Sequence, residues 1–151
     1  MINETLEKYV ETISTLQKPD SRVHTRNIAQ ALDIKEASVT EMFKRLEKEG
    51  LVDYKPYHGV YLTQKGKTIA GDLSSRHATL AELFKALGID AETADEDACK
   101  IEHVASAVTI DRLKKFVDFI EDTPCLPVGL EHFQHYLETG EYRCFPESSE
   151  K

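Results

Sequence analysis

Apolar positions recur at helical spacing three times in the first fifty residues, and then the period changes. Leu6, Tyr9, Val10, Ile13 and Leu16 share one face of a helix predicted over residues 4–17. Pro19-Asp20-Ser21 ends it. A short helix over 25–32 turns Ile28, Ala29 and Leu32 inward, and Asp33-Ile34-Lys35 makes a tight polar break. A third helix, over 36–49, is apolar at Val39, Met42, Phe43 and Leu46, with Gly50 in the place of a C-terminal cap. Leu51, Val52 and Tyr54 then read as a strand, Pro56-Tyr57-His58-Gly59 as a turn, and Val60, Tyr61 and Leu62 as the returning strand. Helix, helix, turn, helix and hairpin in this order is the plan of a winged helix-turn-helix. Thr63-Gln64-Lys65-Gly66 opens a long helix that runs to Leu87 and stops at Gly88. Helices over 92–106 and 110–121 follow. Pro124 and Pro127 break the chain before a last short helix over 130–137, and the closing PESSEK is expected to fray. The predicted fold class is therefore mainly α with a small β-hairpin wing, the winged helix-turn-helix being followed by a helical domain.

With 151 residues, 40% hydrophobic and 30% charged, the chain reads as soluble and globular. The longest apolar runs are too short to span a bilayer, and MINETLEKYV is charged and periodic, unlike a secretory signal. Three cysteines, Cys99, Cys125 and Cys144, are too few for a disulfide framework, so thiols in a reducing cytoplasm are expected. The net charge of −8 looks wrong for a partner of DNA until it is divided along the chain. Residues 1–20 carry two Lys/Arg against four Asp/Glu, residues 21–76 ten against seven, and residues 77–151 seven against sixteen. The acidity sits in the second half, and phosphate contact needs only a local basic face.

A helix-turn-helix lays its second helix in the major groove, which requires small or polar residues on that helix's outer face. That face offers Ala37, Ser38, Thr40, Glu41, Lys44 and Arg45. Lys44 and Arg45 reach phosphate or guanine, and Ser38 and Thr40 suit phosphate oxygens and close approach. The hairpin adds Lys55 and His58, and Arg26 begins the preceding helix. Glu41 runs against this reading, because a carboxylate there repels phosphate unless it reads cytosine or lies aside. The plain alternative is a solvated helix face.

A second constellation lies in the acidic half. On a helix, Cys99, Glu102 and His103 stand at i, i+3 and i+4 and project from one face. A thiolate, a carboxylate and an imidazole converging in this way suit a divalent first-row metal. His77 on the long helix and Glu11 on the first helix offer further donors. Taken singly, each has an ordinary reading: His77 as a surface histidine, Cys99 as a small core residue, Glu102 and Glu11 as solvated carboxylates. The spacing alone leaves metal and no metal equally open. Cys99 and His103 lie one turn apart, but no orienting group or oxyanion donor accompanies them, and no phosphate-cradling glycine loop is present, so no enzyme is expected.

Residues 4–122 resemble the diphtheria-toxin-repressor and manganese-transport-regulator family of metal-dependent transcriptional repressors. The resemblance rests on TLEKYVETI, NIAQALDIKEASVTEMFKRLEKEGLV, GVYLTQKGK, RHATLAELFKALGI and DACKIEHVAS, the last two being specific to that family. It implies a DNA-binding domain over 1–64 and a helical dimerisation and metal-binding domain over 65–151. His77, Cys99, Glu102 and His103 match the family's metal ligands, and Glu11 matches a ligand of the manganese-type members. Cys99 matches the iron-type members, and its softer thiolate favours Fe(II), with Mn(II) as the alternative. Lys8 stands where the family has a methionine or aspartate ligand, and Ala81 and Asp95 where iron-type members hold a second metal. The tail from Cys125 to Cys144 follows no family motif.

The resulting expectation is a cytoplasmic homodimer that represses transcription by binding double-stranded operator DNA when loaded with Fe(II) or Mn(II), with no membrane partner. Leu83, Phe84, Leu113, Phe116 and Val117 are the candidates for the dimer surface. The alternative is a winged-helix regulator that is metal-independent or has an altered effector, with Lys8 holding the first helix. A metal-binding protein without specific DNA binding is the third reading.

Overall fold

The computed structural model describes residues 3–19, 21–122 and 126–141. The chain divides into two compact units, residues 1–76 and 77–151.

In the first unit, α1 (Glu4–Leu16) begins where the Asn3 side chain accepts the Thr5 N–H at 2.7 Å, and buries the Leu6, Tyr9, Val10 and Ile13 stripe. Its end is tied down by Gln17, whose Oε1 accepts the Leu62 N–H at 3.0 Å. After α2 (Thr25–Leu32), Asp33 takes the left-handed conformation and Ile34 N–H donates to Ala29 O, which stops the helix and starts the turn. α3 (Glu36–Lys48) buries Val39, Phe43 and Leu46. It closes on Gly50 at φ 71°, with Gly50 N–H bonded to Glu47 O and Leu51 N–H to Leu46 O. That pairing satisfies the last carbonyls and delivers Leu51 into the core.

Strands β1 (Val52–Lys55) and β2 (Gly59–Leu62) pair antiparallel, with Val52 opposite Leu62 and Tyr54 opposite Val60. Val23 bridges the other edge of β2, exchanging both backbone hydrogen bonds with Val60 at 2.9 Å. Gly59 permits this approach: its φ is 92°, and a Cβ there would lie 2.3 Å from Val23 O. Arg22 fastens the hairpin, donating from Nη1 to the carbonyls of Asp53 (2.8 Å) and Gly59 (3.2 Å) and from Nη2 to the Asp53 carboxylate. Its guanidinium also sits over the Tyr61 ring at 4.6 Å. One side chain thus holds both strands. Phe43, fully buried, packs its ring 5.4 Å from that of Tyr54, so α3 and the hairpin share one core.

Helix α4 (Gln64–Ala86) contains the division between the units and ends on Gly88 at φ 86°. α5 (Ala91–Ile101) is capped by Asp90, whose Oδ1 accepts the Thr93 N–H at 3.0 Å. α6 (Ala107–Asp122) starts at Ser106, which accepts the Thr109 N–H at 3.2 Å, and α7 (Leu126–Thr139) contacts α6. The second core gathers Leu80, Ala81, Ala98 and Ile110, with Phe84, Ile101 and Leu113 against it.

Three expectations need correction. The helix predicted over 92–106 stops at Ile101; Glu102 is its C-cap and a turn follows. The last helix is not confined to 130–137 but starts at Leu126, and Pro127 is accommodated in its first turn, where no N–H is needed. Leu83 and Val117 are buried inside the subunit, so they are not available as dimer surface; Phe116 is exposed. The expectations for Asp20, Pro124, Cys125, Cys144 and the final PESSEK fall outside the described residues.

Candidate nucleic-acid interface and metal centre

The first unit carries a groove of about 770 Å³ between the start of α2, the outer face of α3 and the tip of the hairpin. Arg26, Thr40 and Lys44, all expected from the sequence, line it together with His24, Asn27 and Tyr57. Thr40 is half-buried and donates its hydroxyl to Glu36 O at 3.0 Å, whereas Lys44 is exposed. Ala37, Ser38, Glu41 and Arg45 are exposed on α3 and Lys55 and His58 are exposed on the wing, but none of these lines the groove. Glu41 is not among the lining residues, but Glu36 is, so one carboxylate stands beside Arg26 and Lys44. His24, Asn27 and Tyr57 escaped the sequence reading because nothing in their spacing distinguishes them; only the fold brings the α2 start and the turn tip to one concavity. Arg26 and Lys44 give this groove the cations that contact with a sugar–phosphate strand beside an inserted helix requires.

The second unit holds the other constellation. Small residues on facing helices, Ala81 on α4 and Ala94 and Ala98 on α5, are all buried, which lets His77 of α4 reach the α5 side chains. His77 Nδ1 lies 3.1 Å from Glu102 Oε2, and its Nε2 lies 3.2 Å from Asp95 Oδ1. His103 Nε2 is 3.4 Å from Glu102 Oε1. The Glu102 side chain is wholly buried (0% exposed) and that of His103 nearly so (7%). A carboxylate flanked by two imidazoles is the centre of the arrangement.

Ionised carboxylates are costly to desolvate, by several kcal/mol in real proteins, unless positive charge meets them. The donor set, two imidazoles and a buried carboxylate, fits a divalent transition metal. His77 Nδ1 supports the fit, being buried without a hydrogen-bond partner among the described residues. The members of the expected helical triad do not share one environment. Glu102 turns into the interior, whereas Cys99 stays exposed and lines a neighbouring cavity of about 790 Å³ with His77, Asp95, Glu96 and Lys100. Asp97, with help from Glu96, holds the Lys100 ammonium above its usual range, so the cation there is already committed to neighbouring acids. Glu11 belongs to the first unit, half-buried on α1. Lys8 is exposed on the same helix.

Residues 1–60 match the family model described as iron dependent repressor, N-terminal DNA binding domain. Residues 63–127 match its companion, iron dependent repressor, metal binding and dimerisation domain. An uncharacterised HTH-type transcriptional regulator of Methanocaldococcus jannaschii is 38% identical over 123 residues, covering 80% of this chain and 98% of that one. The HTH-type transcriptional regulator MntR of Bacillus subtilis is 33% identical over 138 residues, covering 91% of this chain and 97% of its own. Among solved structures, the manganese regulator SloR superposes with a TM-score of 0.63 at 31% identity over 79% of this chain, which spans 55% of that longer one. The family is one of transcriptional repressors rather than enzymes. No helix among the described residues is long and apolar enough to cross a membrane. With a winged helix-turn-helix matched to one family domain and the His77–Glu102–His103 unit to the next, the chain belongs to the iron-dependent repressor family.

Proposed function

We propose that this protein is a cytoplasmic, metal-activated transcriptional repressor that binds double-stranded operator DNA as a homodimer. Residues 1–64 read the DNA, and residues 65–151 dimerise and bind the activating ion. Lys44, Arg45 and Arg26 meet phosphate or guanine, Ser38 and Ala37 allow α3 to approach the bases, and Thr40, Lys55 and His58 contact the backbone. Glu41 plays no part in phosphate contact.

One observation carries the metal assignment: Glu102 is fully buried between His77 and His103. Glu102, His103 and His77 would hold the ion, with Glu11 and Cys99 completing the set by their match to the family's ligands. A bound divalent cation supplies the positive charge that the buried carboxylate demands. The sequence favours Fe(II) through the Cys99 thiolate. Exposure of Cys99 and the nitrogen and oxygen character of the buried donors favour Mn(II) instead, as do relatives named as manganese regulators. We therefore assign Mn(II) as the ion of first choice and Fe(II) as the second.

Calorimetry with Mn(II), and anaerobically with Fe(II), tests this. Glu102→Gln keeps the shape of the side chain and removes its charge, and is expected to weaken Mn(II) binding by at least about tenfold. Cys99→Ala is expected to cost more affinity for Fe(II) than for Mn(II). Parent-like binding of both ions by Glu102→Gln contradicts the site.

A second reading, a regulator with an altered effector, rests on Lys8. It is an exposed ammonium on α1 where the family places a ligand, and an ammonium does not ligate. Under that reading Lys8→Asp leaves metal binding and DNA binding unchanged; under the first it tightens both.

A further inference from the structure

The tip of the wing is a four-residue turn, Lys55–His58, closed by His58 N–H donating to Lys55 O at 2.9 Å. Pro56 pre-sets the turn's second position, and the third, Tyr57, has φ 66°. Left-handed backbone at this position is ordinarily supplied by glycine or asparagine, because a Cβ is crowded there. Tyr57 takes that strain and receives nothing in the fold for it, since its side chain is 100% exposed. A large apolar ring held fully in water, at a residue whose backbone prefers another amino acid, points to contact with something outside the subunit. Its surroundings say what. Tyr57 lines the same groove as Thr40, Lys44 and Glu36 of α3 and His24 and Arg26 at the start of α2.

Resting on the DNA-binding reading above, we propose that Tyr57 is a nucleic-acid contact. When α3 lies in the major groove, one sugar–phosphate strand runs through this groove. The Tyr57 ring then packs against a deoxyribose of that strand. Arg22, clamped to both hairpin strands, sets the position of the tip. The ring is neutral, so its share of binding comes from buried apolar surface and not from release of counterions.

Tyr57→Gly and Tyr57→Phe decide the matter, measured by fluorescence anisotropy on a duplex selected from a random-sequence library, across a salt series, with thermal melting in parallel. Tyr57→Gly is expected to melt no lower than the parent, because strain is relieved, yet to bind about tenfold more weakly. The slope of affinity against salt stays that of the parent. Tyr57→Phe keeps the ring and is expected to bind within about threefold of the parent. Parent-like binding by Tyr57→Gly overturns the inference, and so does weaker binding accompanied by a lower melting temperature, which marks a purely structural turn residue. If the parent binds no duplex in Mn(II) or Fe(II), it is the underlying DNA reading that fails, and Tyr57 falls with it.

Discussion

Lys44 and Arg45 illustrate how a single side chain divides affinity from specificity. Both are exposed on α3, but only Lys44 lines the groove proposed to take a phosphate strand. Replacing either by alanine removes a cation near phosphate and is expected to flatten the dependence of DNA affinity on salt by about one unit of slope. Ser38→Ala leaves that slope alone and alters preference among sequences. Salt-dependent anisotropy on the three variants checks this, and an unchanged slope in both basic variants contradicts the assigned recognition face. Gly59 is a structural counterpart. With φ 92° and a would-be Cβ 2.3 Å from Val23 O, Gly59→Ala must push β2 away from Val23. The expected cost is about 1–3 kcal/mol of stability, read by denaturant unfolding. Phe43→Ala, emptying the shared core of α3 and the wing, is expected to cost about 3–5 kcal/mol in the same assay. The apolar positions of this core were legible from spacing alone, because Val39, Phe43 and Leu46 repeat as a helix demands. His24 and Tyr57 were not, since a turn tip and a helix start carry no period.

Helix ends show where sequence patterns succeed. α3 stops at Gly50 and α4 at Gly88, each at positive φ, and both were readable because glycine alone enters that conformation freely. The end of α5 was not readable. Glu102, His103 and Val104 contain neither glycine nor proline, and the helix ends there as Glu102 turns into the interior beside His77. So the three donors were identifiable by type, while their placement, with Glu102 and His103 buried and Cys99 exposed, depended on tertiary packing. Asp90 at the start of α5 makes a pH prediction possible. The Thr93 backbone N–H, followed by the Thr93 side chain, holds its carboxyl below the usual carboxylate range. Lys115 does the same for Asp111 on α6, through a hydrogen bond at 2.8 Å. Both lowered values mean that the folded state prefers the charged form. Their contributions are present above the unfolded carboxylate value and are lost as pH falls through the lower folded one. Protection of the α5 amides, taken relative to their intrinsic exchange rate at each pH, is expected to fall below about pH 4 in the parent. In Asp90→Ala the α5 amides exchange faster already at neutral pH. Equal α5 protection in parent and variant at neutral pH contradicts the cap.

At the scale of the whole molecule the charge is partitioned. Residues 21–76 hold ten Lys/Arg against seven Asp/Glu, and residues 77–151 hold seven against sixteen. The basic excess coincides with the groove and the acidic excess with the donor cluster, so an acidic protein is suited to bind an anionic polymer through one part and cations through another. Apolar residues left exposed on the subunit, Val104 (71%), Val108 (70%) and Phe116 among them, fit the dimerisation domain of the family. Sedimentation at micromolar concentration is expected to give a dimer, weakened by Val108→Asp, with recognition helices about 34 Å apart when DNA is bound. A monomeric parent contradicts this.

In the proposed function, metal occupancy controls DNA binding. Ligation competes with protons for imidazole and carboxylate, so the coupling weakens in acid and is best measured at neutral pH. The most direct test is anisotropy of the full chain on a library-selected duplex, first with Mn(II), then with chelator, then with Mn(II) restored, beside Glu102→Gln under the same conditions. Saturable binding with Mn(II), its loss on chelation, its return when Mn(II) is restored, and weak binding by Glu102→Gln throughout are expected. Equal affinity of the parent with and without chelator contradicts metal control.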